Sequence, residues 1–233
     1  MTTSRAPRRI AAIVLPDLAV EAVFSQPGLH AVTIERRGKV LVHAVSPEAR
    51  AAGIRKGMGR GEARASLREL IVKPRHLHHE ATALARAAEL GFSFGPIVEM
   101  ALPNVVFVDV TQVPGGEEGL AERMVELYAR AGHAARAVIA DDPDTAQTLA
   151  QWPVLPKKKK RLPTAETYGR EAALEALARR PIAALTWTDP RQDPEGRLRE
   201  SLRQAEASLA VLGVRDGRRL LALPAAQLSN RFG

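Results

Sequence analysis

Cysteine is missing from all 233 residues, so disulfides and thiolate-held metals are excluded and a reducing cytoplasm is the natural compartment. Long apolar runs are missing too. Ile10 to Leu15 and Val105 to Val110 are far shorter than the roughly 18 apolar residues that suggest a membrane span, and the N-terminus lacks the apolar core of a signal peptide. A soluble intracellular protein is the expectation. The length allows a sizeable core, in one domain or several small ones.

Positive charge is present in excess, and its placement is more informative than the total of +8. Residues 1–27 carry a net +1, residues 28–79 +7, residues 80–155 −7 and residues 156–233 +7. An acidic block between two basic ones fits a body that presents two positive arms to a polyanion. The plainer alternative is a set of basic residues that solvate exposed helices.

Apolar periodicity orders the chain. Ile10 to Leu15 reads as a strand, followed at Pro16-Asp17 by a helix containing Val20, Val23 and Phe24, with Asp17 suited to be its N-cap or first-turn acid. Ala31 to Glu35 and Lys39 to Ala44 alternate around Arg36-Arg37-Gly38, which is a hairpin signal. Ala63, Leu67 and Leu70 recur at helical spacing before a returning strand at Ile71-Val72. A helix from Glu80, with Leu84, Ala85 and Ala88, leads to the β-branched run Val105 to Val110, in which Asp109 is the only charge. Gly115-Gly116 and Glu117-Glu118 mark another helix start, and Leu120, Met124, Leu127 and Ala131 form its stripe before Gly132 ends it. Ala134 to Ala140 is a further strand and Pro143 to Leu149 the helix after it. This alternation predicts an α+β sheet with helices on one face. Residues from Thr164 onward read as helical, with stripes at Leu174 and Leu177 and at Leu198, Leu202, Ala205 and Leu209.

Three clusters invite a chemical reading. His76, His78 and His79 lack the fourth partner and the spacing of a zinc site, so structural or solvent-facing histidines are preferred. Asp141, Asp142 and Asp144 precede a helix, where capping explains them better than a relocated metal site does. Trp152 to Pro156 followed by Lys157, Lys158, Lys159, Lys160 and Arg161 has the composition of an exposed linker. That run is a salt-sensitive phosphate contact if DNA is near and a solvated tether if it is not.

Phe92 to Thr111, FSFGPIVEMALPNVVFVDVT, resembles the palm motif of Y-family DNA polymerases without a gap. Gly95-Pro96, Val98-Glu99 and Asp109-Val110-Thr111 fall on the family's positions, while its catalytic Asp-Glu pair falls on Asn104 and Val105. In the opening strand, Leu15 occupies the first, metal-binding Asp of the family's D-x-D and Asp17 the second. Two-metal phosphoryl transfer needs anionic oxygens; an amide offers one weak neutral ligand and an isopropyl group none. Val20 stands at the family's aromatic steric gate. Ser46 to Ile54, SPEARAAGI, resembles the fingers sequence that touches the incoming triphosphate. Arg50 is kept there and Pro47 replaces the tyrosine. Arg50 suits a phosphate contact or a partner for a nearby carboxylate, and without a nucleotide site the second is preferred. Asp144 falls where the family has a lysine. Leu212 to Arg215, Leu220 to Pro224 and Arg231-Phe232-Gly233 resemble the thumb, although Asp189 to Arg203 stands in place of its glycine hairpin. Gln227-Leu228 with Phe232 faintly echoes a sliding-clamp peptide, but helix packing explains them better.

The resemblance implies an α+β, Y-family polymerase-like architecture: a palm over residues 1–27 and 75–165, a small α/β fingers insertion over 28–74 and a helical thumb over 166–233. Loss of carboxylates at Leu15, Asn104 and Val105 resembles the ImuB branch of the family. That branch implies no catalytic residue, no bound metal, no cofactor and a role as a non-catalytic subunit of a bacterial damage-inducible mutasome supporting translesion synthesis. It also implies an ImuA-type partner, and a sliding clamp and an error-prone polymerase engaged through regions beyond residue 233, where a little-finger domain would begin. Weak, sequence-independent DNA binding would use Arg36, Arg37, Arg50 and Lys157 to Arg161, in a cytoplasmic, nucleoid-associated protein without membrane contact. Two alternatives stay open: an active polymerase with relocated metal ligands, and a protein-only interaction module.

Overall fold

A computed structural model describes residues 8–114, 116–155, 162–185 and 197–232 of the protein. In chain order it runs β1 (Ile10–Val14), α1 (Leu18–Glu21), β2 (His30–Arg36), β3 (Lys39–Val45), α2 (Pro47–Ala51), α3 (Arg60–Ser66) and β4 (Ile71–Pro74). There follow α4 (Leu77–Gly91), β5 (Val98–Ala101), β6 (Val105–Asp109), α5 (Leu120–Arg130), β7 (Arg136–Ala140), α6 (Pro143–Gln151) and β8 (Ala165–Thr167). Further helices complete it: α7 (Arg170–Ala178), α8 (Ile182–Leu185), α9 (Arg197–Val211), α10 (Gly217–Leu221) and α11 (Ala225–Phe232). Among the described residues no helix is long and apolar enough to cross a membrane.

Strand β1 is central in a five-stranded sheet of order β5-β6-β1-β7-β8, antiparallel to both neighbours. Its run of apolar residues does not alternate with polar ones because both of its faces are covered. Ala11, Ile13 and Leu15 pack with Val106, Val108 and Ile139 against α4 and α5. On the opposite face Ala12, Val14, Val105 and Val138 pack against Ala146 and Leu149 of α6 and Ala173 and Ala176 of α7. The expectation of helices on one face is therefore corrected.

Helix stripes differ in detail from those the spacing predicts. In α5 the buried residues are Leu120, Ala121, Met124 and Tyr128, while Leu127 is half-buried and Ala131 exposed. Tyr128 is fully buried because its hydroxyl donates to the Ala87 carbonyl at 2.7 Å, and burial pushes its phenol above the ordinary pKa. In α7 the small residues Ala173 and Ala176 face the sheet and Leu174 is exposed, since close approach to α6 leaves no room for a longer chain at those positions. The other long stripe is half right: Leu209 is buried in a small cluster with Ile182 and Val214, and Leu198 lies exposed. Gly95 answers a similar demand, because a Cβ there would lie 2.4 Å from the Asp109 carbonyl oxygen.

A second, three-stranded sheet of order β3-β2-β4 interrupts the first between β1 and α4. Its own core comprises Ala31, Val42, Val45, Ala49, Ile54, Ala63 and Leu70. Helix α2 begins at Pro47 because Ser46 caps it: the Ser46 hydroxyl accepts from the Ala49 amide at 3.1 Å and donates to the Gly28 carbonyl at 2.7 Å.

Arg9, just before β1, binds loops distant in sequence. Its Nε and Nη2 donate to Glu117 at 2.6 and 2.7 Å, and its Nη1 donates to Asp141 at 2.5 Å and to the Tyr168 carbonyl at 2.9 Å. Its backbone amide donates to Thr111 Oγ1 at 2.9 Å. The Glu117 hydrogen bond leads the effects that hold Arg9 above its ordinary pKa, against the opposing effect of burial. Glu117 is thus occupied by Arg9, and the position before α5 belongs to Gly119, in a left-handed conformation with φ 63°.

Three variants test these contacts. Arg9→Met leaves Glu117 and Asp141 without their cation and should lower unfolding free energy by roughly 1–3 kcal/mol, the figure for a fully buried pair being reduced for their partial exposure. Arg9→Lys should recover only part of it, because an ammonium cannot fork between two carboxylates. Tyr128→Phe should cost about 1 kcal/mol for its single hydrogen bond. Urea unfolding followed by circular dichroism measures all three, and an unchanged midpoint in Arg9→Met would deny the network its structural role.

Candidate functional site

The ends of β1 and β6 meet in one backbone rung. Val14 pairs with Val105, the Leu15 amide donates to the Asn104 carbonyl at 2.9 Å, and the Asn104 side-chain amide donates back to the Leu15 carbonyl at 2.9 Å. The three positions that align with polymerase carboxylates are therefore neighbours, but their side chains diverge. Leu15 turns into the core under α4 and α5, Val105 into the core under α6 and α7, and both are fully buried. Only Leu15 and Asn104 of the three line the adjacent cleft.

Asp17 occupies the position before α1 but makes no side-chain capping hydrogen bond. Its buried carboxylate accepts from Arg50 at 2.7 Å, and Arg50 also donates to the Val45 carbonyl at 3.1 Å. Asp17 thus holds the expected N-cap position, its carbonyl accepting from the Val20 and Glu21 amides, but its side chain does not cap, because the guanidinium brought in by α2 offers the carboxylate a charged partner. Arg50 has the carboxylate partner that was its preferred reading. Val20 is buried.

The cleft next to this corner has a volume of about 600 Å³. Leu15, Asp17 and Asn104 line it from the five-stranded side and Arg50, Ile54, Arg55 and Lys56 from the three-stranded side, with Arg136 and Trp152 closing it. Arg75 also lines it, held by Glu80 at 2.6 Å, and Glu80 is itself buried in the first turn of α4. Five basic side chains thus face two carboxylates, both already paired. His43, on the wall, reports the resulting field: burial first, then the charges of Arg75 and Lys56, push its imidazole down to about 4. It is neutral at pH 7. Arg136, reaching across from β7, has its pKa lowered by burial, with Asp17 opposing and Arg50 adding to the shift.

The metal ions that the polymerase resemblance implies do not fit these donors. Asp17 is committed to Arg50, the Asn104 amide is engaged with backbone, and Leu15 and Val105 carry no oxygen. Hard divalent cations require several anionic oxygens. The acids after β7 offer no replacement: Asp141 binds Arg9, Asp142 caps α6 by accepting from the Thr145 amide at 2.8 Å, and Asp144 lies exposed in the first turn. Among the described residues no group of three His, Asp or Glu side chains could hold a metal ion. His76 precedes α4 and stacks on His79 at 4.9 Å.

The remaining candidates are dispersed. Arg36 and Arg37 sit exposed at the β2–β3 hairpin tip and do not line the cleft, with Arg37 in a left-handed conformation at φ 50°. Lys157, Lys158, Lys159, Lys160 and Arg161 lie outside the described residues, as do the side chains of Gln227 and Phe232. Leu228 packs on the Ile182, Leu209 and Val214 cluster. Sequence reasoning missed His43, Arg75, Arg136 and Trp152. A lone basic or aromatic residue at a strand or helix end carries no local signal of the cleft it faces.

The impB/mucB/samB family model matches residues 26–151. Protein ImuB of Caulobacter vibrioides is 30% identical over 185 residues, which cover 78% of this chain and 35% of that protein. The chain thus spans about a third of the length of the curated relatives it matches. Among solved structures, DinB from Sulfolobus solfataricus superposes with a TM-score of 0.63 at 18% identity, over 95% of this chain and 62% of that one. The insertion ternary complex of Dbh DNA polymerase does so with a TM-score of 0.67 at 18% identity, over 97% and 63%. The fold is that of the Y-family DNA polymerases, and the chain belongs to the impB/mucB/samB family, as an ImuB-like member.

Proposed function

We propose that this chain is a non-catalytic, polymerase-like adaptor of a bacterial damage-inducible mutasome, which supports translesion synthesis by holding DNA and partners rather than by joining nucleotides. The observation that carries the reading is the corner where β1 meets β6. Leu15 and Val105 are sealed in separate cores and Asn104 is tied to the Leu15 backbone, so no carboxylate set stands where phosphoryl transfer would need one. The engagement of Asp141 with Arg9 and of Asp142 with its helix speaks against relocated ligands.

In this reading the five-stranded unit, residues 1–27 and 75–165, is the palm, residues 28–74 the fingers and residues 166–233 the thumb. DNA is held weakly and without sequence preference through phosphate contacts from the basic fingers and from Lys157 to Arg161. An ImuA-type partner, a sliding clamp and an error-prone polymerase complete the assembly in the cytoplasm at the nucleoid. The relationship to ImuB and the uneven charge of the chain support this part.

Primer extension with Mg²⁺ or Mn²⁺ should give no product, and metal-dependent incorporation that survives repurification would overturn the reading. Leu15→Asp, Asn104→Asp and Val105→Glu together should not restore synthesis, because Val20, Pro47 and Asp144 remain changed and two new acids would enter apolar cores. Primer-template affinity, read by fluorescence anisotropy, should fall with salt by about 0.9 log units per log unit of salt for each phosphate contact. Changing Lys157, Lys158, Lys159 and Lys160 to Ala should weaken binding equally for different sequences and flatten that slope. No binding by the parent at low salt would favour a protein-only module.

A further inference from the structure

The cleft has lost the donors for metal-held phosphate, yet it has positive charge where a divalent cation would otherwise supply it. Arg136 stands on β7 beside the end of β1, paired with Val14 across the sheet, and its Nη1 donates to the Ala150 carbonyl at 3.2 Å. It is near enough to Asp17 and Arg50 for both to shift its proton affinity. Two guanidinium groups and one carboxylate leave this floor with a single net positive charge, while Arg75 and Glu80 cancel one another on the wall. Arg55 and Lys56 lie exposed at the rim. Trp152, 37% exposed and just beyond α6, lines the same cleft.

An aromatic side chain and several cations lining one cleft are the composition of a single-strand nucleic-acid site, where bases stack and the backbone follows the charges. We propose that this cleft binds an unpaired stretch of single-stranded DNA without a metal ion. One internucleotide phosphate sits against Arg136 and Arg50, the next phosphate meets Arg55 and Lys56, and a base lies on Trp152. The charge count favours a strand over a free nucleoside triphosphate. A phosphodiester brings one negative charge, which the floor balances, whereas a triphosphate brings several and finds only carboxylates already paired with arginines, poorly placed to recruit a divalent ion. A volume near 600 Å³ suits about one nucleotide unit with its neighbours outside. The inference rests on the DNA-binding reading and locates part of that binding in the cleft.

The test titrates the full chain with a short oligothymidylate in EDTA, reading tryptophan fluorescence and, separately, anisotropy of a labelled oligonucleotide. Binding should quench the fluorescence of the parent, and Trp152→Phe should remove most of that quench. Trp152→Ala should weaken single-strand affinity by about tenfold, as loss of one stacked base requires, while affinity for blunt duplex DNA stays within about twofold. Lys56→Ala should weaken single-strand binding and reduce its salt slope, and Arg136→Gln should do the same if its thermal unfolding matches the parent's. Should Arg136→Gln fail to fold, the exposed Trp152 and Lys56 variants decide. Single-strand affinity that Trp152→Ala and Lys56→Ala leave unchanged would overturn the proposal and leave DNA binding elsewhere on the chain intact. Tighter binding of free thymidine triphosphate than of the oligonucleotide in EDTA would overturn it in favour of a mononucleotide site. Absence of binding to any DNA would remove both this inference and the DNA-binding reading beneath it.

Discussion

One guanidinium ties together the loops at one end of the larger sheet. Arg9 enters at the start of the most buried strand, yet it spends its donors on Glu117, Asp141 and the Tyr168 carbonyl, from three connections that follow β6, β7 and β8. Those connections begin α5, α6 and α7, the helices that cover both faces of the sheet with α4. The register of β1 against β6 and β7 sets where Arg9 emerges, and Arg9 in turn draws the three loops to one point. A charged residue at the mouth of an apolar core is tolerable here because its charge is matched and its hydrogens are forked between partners.

The apolar skeleton was readable in advance. β1, β6 and β7 are mainly small, β-branched and aromatic residues, with charge only at the ends, Asp109 of β6 and Arg136 of β7, and the hairpin of β2 and β3 turns on Arg36-Arg37-Gly38 as its composition demands. Polar side chains were harder to place, because their partners lie far away in sequence. Asp17 looked like a cap until Arg50, thirty-three positions on, supplied a better contact. Tyr128 was passed over in the α5 stripe because its ring is apolar and its hydroxyl is not, and only the Ala87 carbonyl explains its burial. Of the α7 stripe Leu177 packs on the core beside α6 as expected, while Leu174 is exposed and Ala173 and Ala176 take the buried places there.

The candidate site was legible by what it lacks and illegible in what it has gained. Leu15, Asn104 and Val105 announce missing carboxylates from sequence alone, but their separation into two cores and a backbone clasp is a property of the folded chain. Leu15 and Val105, fully buried where β1 meets β6, stabilise the junction by roughly 1.5–3 kcal/mol each. The wall of neutral His43 with Arg75 and Arg136 is assembled from distant parts of the chain and gives no motif.

Arg50 joins the two sheet units through Asp17 while half of its own side chain remains open to solvent. The same group therefore faces an internal carboxylate and whatever anion enters the cleft. An anion that drew on Arg50 would compete with the contact between the units, and by linkage any such competition would act with equal strength in both directions.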